Sequence, residues 1–277
     1  MPDSLYSNMR IADCERHSPL NKLETRILLM HVTGLNRIQL ITQSDRQLSA
    51  LQAQQFSALI QNRLAGEPIA YLIGEREFFG LPFYTTPAVL IPRPDTELLV
   101  ELAMQFAPPD GELLDLGTGS GAIAIAVAYH RPDLQVTAVD VSDAALEVAA
   151  KNAQRNLGES KILLMQSDWY SALHGRQFHT IVSNPPYIVE NDPHLQQGDL
   201  RFEPLNALTD HADGLSAYRH IVGEAHRYLV RPGWLLMEHG YDQAAAVQSL
   251  LREAKFCDVQ SWRDLAGIER VSGGRLL

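Results

Sequence analysis

Asn184 is followed by Pro185, Pro186 and Tyr187, directly after the apolar stretch from Phe178 to Val182, and this run suits one kind of chemistry. An amide nitrogen, or an exocyclic amine on an sp² carbon, is a poor nucleophile because its lone pair is delocalised. An enzyme that alkylates it must hold the NH₂ group still and accept its hydrogens. The side-chain oxygen of Asn184 can accept one N–H and the backbone carbonyl of Pro185 the other, while two consecutive prolines fix φ and so keep both acceptors aimed. Tyr187 offers a flat face to a planar group. As a turn alone the run is ordinary, since Asn and Pro are common loop residues. A second motif upstream supports the functional reading.

That motif is Asp115-Leu116-Gly117-Thr118-Gly119-Ser120-Gly121. Its glycines lie between a strand ending at Leu116 and a helix beginning near Gly121, where glycine permits a tight turn and close ligand approach. Asp140 ends the next strand, where a carboxylate can accept both hydroxyls of a ribose. The spacing is GxGxG rather than GxGxxG, and Asp115 just before the turn suits a cationic amino group better than a pyrophosphate. This points to S-adenosylmethionine rather than a dinucleotide. Ser167-Asp168-Trp169 ends a third strand. The acid and the aromatic can hydrogen-bond and pack against adenine, or can be a capping Asp beside a core Trp.

The elements that must position these motifs follow from periodicity. From Leu5 to about Ala65 apolar residues recur at three- to four-residue steps, with Ser18-Pro19 as a helix start and Gly34 as a helix end. Gly66-Glu67-Pro68 closes this helical domain, residues 1–68. Residues 69–91, with Phe78, Phe79, Phe83 and Tyr84 around Gly80-Leu81-Pro82, read as a β-hairpin linker. The remainder, 92–277, opens on Ile91-Pro92-Arg93-Pro94-Asp95-Thr96-Glu97, where Pro94 and the acids suit a first helical turn and the stretch can equally face the cofactor. Strands are expected at 112–116, 135–140, 161–166, 178–183, 233–238, 257–262 and 270–276, and helices near 121–130, 143–157, 215–229 and 242–254. Strand-helix alternation implies a parallel, doubly wound α/β sheet, with the last two strands antiparallel because Arg263 to Glu269 is too short for a crossover. Residues 190–212, polar and without periodicity, read as a structureless flap beside the site.

Composition narrows the class. The chain has 277 residues, 45% hydrophobic, enough for a large domain and a small one. Its longest apolar run, Ala122 to Tyr129, is too short to span a bilayer, and Asp3 interrupts any basic-then-apolar leader, so a soluble cytoplasmic protein is expected. Cys14 and Cys257 show no CxxC spacing and read as reduced thiols, and the ten His show no HExxH pattern, so no metal is expected. Residues 1–82 balance 8 Lys+Arg against 8 Asp+Glu, so 15 against 25 in the rest carry the whole net charge of −10. An acidic main domain repels a phosphate backbone, which weighs against nucleic acid as substrate.

Together, IPRPDTE (91–97), DLGTGSG (115–121), VD (139–140), SDW (167–169) and NPPYI (184–188) closely resemble the HemK/PrmC family of protein-glutamine N5-methyltransferases. The likeness extends through the helical domain, GEREFFGLPFY (74–84) and HLQQGDLRFEPLNAL (194–208). The resemblance implies a seven-stranded class I, Rossmann-like methyltransferase sheet, S-adenosylmethionine as donor, and as acceptor the glutamine of a Gly-Gly-Gln loop in peptide chain release factors. Carried over, Gly117, Thr118, Gly119, Ser120, Gly121, Asp140, Asp168, Trp169 and Asn184 bind cofactor. Asn184, Pro185, Pro186 and Tyr187 bind the glutamine, with Asn184, Pro185 and Tyr187 in the catalytic role. Arg26 stands where the family leads one to expect an acid. Competing readings are a glutamine methyltransferase acting on a ribosomal protein, an adenine-N6 methyltransferase using the same turn on a flipped base, and a non-catalytic cofactor-binding module.

Overall fold

The structure, a computed structural model, describes residues 6, 8–158 and 162–277; Asp3, Leu5 and Lys161 at the head of one expected strand lie outside the described residues. The chain divides into two compact units, Met1–Gly74 and Glu75–Leu277.

The first unit holds α1 (Ile11–His17), α2 (Lys22–Thr33), α3 (Arg37–Thr42), α4 (Ala50–Leu64) and α5 (Ile69–Ile73). Asn36 and Ser49 start α3 and α4 with reciprocal capping boxes, and Gly34 ends α2 in the left-handed region at φ 69°. The helix expected to start at Ser18-Pro19 begins instead at Lys22. Asn21 is the better cap, accepting from the Glu24 N–H at 2.9 Å, while the Ser18 hydroxyl accepts from Thr25 Oγ1 at 2.7 Å. Ile11, Leu28, Leu29, Phe56 and Ile60 form the buried core. Arg26, the residue that departs from the family pattern, donates to Glu15 at 3.0 Å. The unit ends after Gly74 rather than at 68, because α5 adds Ile69, Leu72 and Ile73 to this core. The expected hairpin over 69–91 is therefore confined to β1 (Glu75–Phe78) and β2 (Leu81–Tyr84).

In the second unit follow α6 (Glu97–Phe106), β3 (Glu112–Leu116), α7 (Ala122–His130), β4 (Gln135–Asp140), α8 (Asp143–Leu157), β5 (Ile162–Gln166) and β6 (Phe178–Ser183). Then come α9 (Leu205–Leu208), α10 (Ser216–Ala225), β7 (Leu229–Glu238), α11 (Ala244–Glu253), β8 (Cys257–Arg263) and β9 (Glu269–Leu276). Among the described residues one seven-stranded sheet forms, in the order β5-β4-β3-β6-β7-β9-β8. Neighbours from β5 to β7 are parallel, and β9 runs antiparallel to both β7 and β8. The expected helix 215–229 stops at Ala225, since Leu229 already pairs with Phe178 as the first residue of β7.

Successive strand residues face opposite sides. Leu113, Val136 and Leu236 pack under α6, α7 and the hairpin, while Leu114, Val139 and Leu235 pack under α10 and α11. The hairpin lies on α8, where Asn156 Nδ2 donates to the Pro82 carbonyl at 3.0 Å and Arg155 pairs with Glu75 at 2.6 Å. β3, β4, β5, β6 and β7 all point their carboxyl ends at one edge, and connections leave β3 and β6 in opposite directions. That gap is the topological switch point where ligands of open α/β sheets bind.

Candidate active site

The turn after β3 is built on backbone bonds that only a glycine-rich sequence accommodates. Gly117 and Thr118 N–H both donate to the Val139 carbonyl at 2.9 Å, and Gly117, Gly119 and Gly121 all have positive φ. Each glycine answers a different constraint. A Cβ on Gly121 would meet Ile125 Cδ1 of α7 at 2.7 Å and Ala149 Cβ of α8 at 3.3 Å, so this glycine lets the start of α7 pack against α8; a Cβ on Gly119 would meet nothing within 4 Å, so the backbone there lies open to a ligand.

Asp140, at the end of β4, is fixed by two backbone donors. Gly119 N–H reaches Oδ2 at 2.8 Å and Ser142 N–H reaches Oδ1 at 2.9 Å. Burial pushes its carboxyl above the usual range, opposed by these N–H bonds. Each oxygen keeps lone-pair capacity for a vicinal diol. Asp115 is placed otherwise than the sequence reading proposed. It is fully buried behind the loop and does not line the cavity; Oδ2 accepts from Thr118 Oγ1 at 2.6 Å and Oδ1 has no partner. Burial lifts it to about 7, against the hydrogen bond from Thr118.

At the end of β6, Ser183 Oγ donates to the Leu116 carbonyl at 2.8 Å, which ties this strand to the glycine turn. Asn184, next in the chain, donates through Nδ2 to Thr96 Oγ1 at 3.2 Å. Its other end, Oδ1, is thereby the end available to a ligand.

A cavity of about 290 Å³ runs between these groups. Gly117, Thr118, Gly119, Ser120, Asp140, Asp168, Trp169, Asn184 and Pro186 line it. Gly121, Pro185 and Tyr187 do not. Gly121 caps the start of α7, Pro185 is buried, and Tyr187 packs against the core cluster that contains Leu114 and Tyr218. The Tyr187 backbone is held by Gln243, whose Nε2 donates to its carbonyl at 3.0 Å. Trp169 lines the cavity and also packs on the same core.

The segment expected to be structureless is folded. It contains short helical turns at Pro193–Gln196, Leu200–Phe202 and α9. Glu203, with its carboxylate shut from solvent, anchors it by pairing with Arg93 and accepting from the Ile91 N–H at 3.0 Å. Burial raises the Glu203 carboxyl and the Arg93 guanidinium opposes that rise. Pro204, Asn206 and Ala207 are thus held against the cavity, opposite the glycine turn.

Asn152, Glu203 and Glu238 escaped the sequence reading as site residues, and Thr96 entered it only as part of the 91–97 stretch. Asn152 carried a signal, since it interrupts the apolar stripe Ala145, Val148, Ala149 of α8 with a polar residue that is fully buried. Among the described residues no cluster of three His, Cys, Asp or Glu is placed to hold a metal ion, and no helix is long and apolar enough to cross a membrane.

Comparison with known proteins gives a consistent result. The PrmC N-terminal domain family matches residues 13–74 and the Methyltransferase small domain family residues 94–199. A release factor glutamine methyltransferase of Burkholderia pseudomallei is 55% identical over 96% of this chain and 95% of its own; one from Escherichia coli is 50% identical over 91% of each. Among solved structures, a methyltransferase from Pyrococcus furiosus superposes with a TM-score of 0.56 at 20% identity, covering 79% of this chain and 98% of its own. A T. thermophilus 16S rRNA methyltransferase, solved with AdoMet and guanosine, gives 0.54 at 23% identity over 73% of this chain and 50% of its own. These two likenesses show the fold.

Proposed function

The chain belongs to the family of release factor glutamine methyltransferases, and we propose that it transfers a methyl group from S-adenosylmethionine to the side-chain amide nitrogen of the glutamine in the Gly-Gly-Gln loop of peptide chain release factors. One observation carries the reading: Asn184 lines the same cavity as Gly119 and Asp140, with Nδ2 bound to Thr96 and Oδ1 at the end left for an acceptor amide.

The residues present fit the cofactor. Gly119 leaves open space where a Cβ would stand, Asp140 keeps lone pairs for ribose hydroxyls, and Val141 and Trp169 provide apolar surface for a base. When bound, S-adenosylmethionine supplies a methyl group already activated by the sulfonium charge. The protein's task is then orientation, which in favourable cases is worth roughly 7–11 kcal/mol. Asn184 Oδ1 would accept one N–H of the glutamine amide, while Pro185, expected from sequence to accept the other, is buried outside the cavity lining. Because the amide nitrogen would gain positive charge on taking up the methyl group, its hydrogens would become more acidic and the bond to Asn184 Oδ1 would strengthen in the transition state. The excess proton leaves afterwards to water.

Flanking glycines suit the acceptor, because a loop without side chains can enter a narrow cavity that a helix or strand could not. Exposed Leu23, Ile38, Ile41 and Leu51 of the helical unit suit a protein partner contacted away from that loop. The expected result is rapid methylation of folded release factor at one glutamine, much slower methylation of a peptide carrying the same three residues, and none of duplex DNA. Incubating each with enzyme and methyl-labelled cofactor tests this: label in DNA alone sinks the protein-substrate reading, and equal rates on peptide and intact factor remove the role of the helical unit.

A further inference from the structure

We propose that Glu238 is a positioning residue for methyl transfer: its buried carboxylate at the end of β7, acting with the Thr96 hydroxyl, holds the Asn184 side chain so that Oδ1 faces the acceptor amide. The proposal rests on the role given to Asn184 above.

The sheet register brings the two residues together. β6 and β7 are parallel with Ser183 opposite Met237, so Asn184 and Glu238 are the next residues along neighbouring strands. Thr96 enters from the turn before α6. It is 5% exposed and accepts from Asn184 Nδ2, so its own hydroxyl proton needs another acceptor. Glu238 is that acceptor: the Thr96 hydroxyl and the Asn184 amide both favour its charged form by hydrogen bonding. Its Oε2 is buried with no partner of its own. A carboxylate at 2% exposure with one oxygen unpartnered is a poor packing element, and an apolar side chain would be less costly there. What only an acceptor can do at this position is collect two donors and thereby fix which end of Asn184 faces the cavity.

Charged and titratable groups surround it on every side. Asp95, beside Thr96, pairs with Arg270 of β9 at 3.2 Å; Tyr187 follows Asn184; Tyr218 of α10 donates to the Glu238 carbonyl oxygen at 2.8 Å; His239 is next in the chain, with Nε2 at 2.8 Å from Ser272 Oγ. Burial, with Asp95 adding to it, raises Glu238 to about 7, opposed by Thr96, Arg270 and Asn184. The ionised form that accepts from both donors is therefore gained as pH rises through neutrality. Protonation turns one carboxylate oxygen into a donor and weakens the other as an acceptor, which loosens the hold on Thr96 and Asn184. Turnover limited by this arrangement rises across neutral pH.

The experiment measures kcat and KM for methylation of folded release factor, with cofactor affinity by calorimetry and thermal melting as controls, in the parent, Glu238→Gln, Thr96→Val, Thr96→Ser, Asn184→Ala and the double variant Asn184→Ala/Glu238→Gln. Asn184→Ala is expected to lower kcat about 10²–10³-fold, as for loss of one oriented transition-state partner. Glu238→Gln and Thr96→Val each lower kcat by roughly tenfold, the scale of one hydrogen bond; Glu238 lies outside the cavity lining, so Glu238→Gln leaves cofactor affinity unchanged, and Thr96→Ser retains most of the rate. Glu238→Gln also flattens the rise of kcat with pH. In the Asn184→Ala background Glu238→Gln causes no further loss, because residues acting as a unit are not additive. Unchanged kcat in Glu238→Gln beside an active parent, or losses that multiply in the double variant, overturn the proposal alone. A parent that labels no release factor overturns the functional reading and the proposal with it.

Discussion

Asn152, in the middle of α8, donates through Nδ2 to the Ser120 carbonyl at 2.8 Å and to the Tyr84 carbonyl at 3.1 Å, while its Oδ1 accepts from the Tyr84 N–H at 2.6 Å. One side chain thus joins the glycine turn to the hairpin from inside a helix. Asn152→Ala removes the partner of three backbone groups at once. Leaving a buried polar group unsatisfied costs about 1–3 kcal/mol, so urea unfolding is expected to show a loss of at least ~2 kcal/mol together with weaker cofactor binding. A variant with the parent's midpoint would show that the turn and hairpin do not depend on this link.

Asp140→Ala is expected to weaken S-adenosylmethionine binding by about 1.5–3 kcal/mol, the range for hydrogen bonds to a charged acceptor. The same change frees the N–H groups of Gly119 and Ser142, which loosens the turn that receives the ligand. Calorimetric titration measures it directly, and an affinity equal to the parent's would refute the ribose role.

Asp115 links stability to pH. Its carboxyl is raised from 3.8 to about 7 by burial, so the folded state holds this proton more tightly than the unfolded state does. The stabilising contribution is fully present below 3.8 and is lost as pH rises through about 7; Glu238, raised from 4.5 to about 7 chiefly by burial, acts in the same sense. Asp115→Asn should therefore flatten the decline in unfolding free energy between about pH 4 and about pH 7. An Asp115→Asn slope identical to the parent's would exclude this group as its source.

Glu203→Ala takes the acceptor from the Ile91 N–H and the partner from Arg93. Arg93 keeps some access to water, so the loss falls near the ordinary penalty of about 1–3 kcal/mol for an unmet buried donor. Hydrogen exchange is expected to accelerate across 193–208, and cofactor dissociation with it. Unaltered exchange in that segment would mean that other contacts hold it.

Strand periodicity and the glycine motif made the sheet and one wall of the site legible from sequence, because both are local patterns. Gly117 to Ser120, Asp140, Asp168, Trp169, Asn184 and Pro186 were named from their motifs and the family resemblance, and they line one cavity. The shell that fixes them was not legible. Thr96, Glu203 and Glu238 are single polar residues whose partners lie far away in the chain, and their sequence surroundings give no periodic signal. Tyr187 illustrates a related point: an aromatic after two prolines reads as a stacking face, whereas here it packs against the core cluster that includes Tyr218 and Ile221, with its backbone carbonyl held by Gln243. The helix α5 was missed because five residues are too few to reveal a 3.6-residue period.

The place of β9 between β7 and β8 orders events in time. β8 is synthesised before β9, yet it bonds to the sheet only through β9, and until then β7 presents an open edge ending at Glu238. Such an edge is a template for pairing with other chains. The half of the sheet from β5 to β6, with the glycine turn, can pair without it, whereas the support beneath Asn184 waits for the last strand. In refolding followed by pulsed hydrogen exchange, amides of β3 and β4 should become protected no later than those joining β7, β8 and β9, which should gain protection together; protection of β8 before β9 would contradict this order.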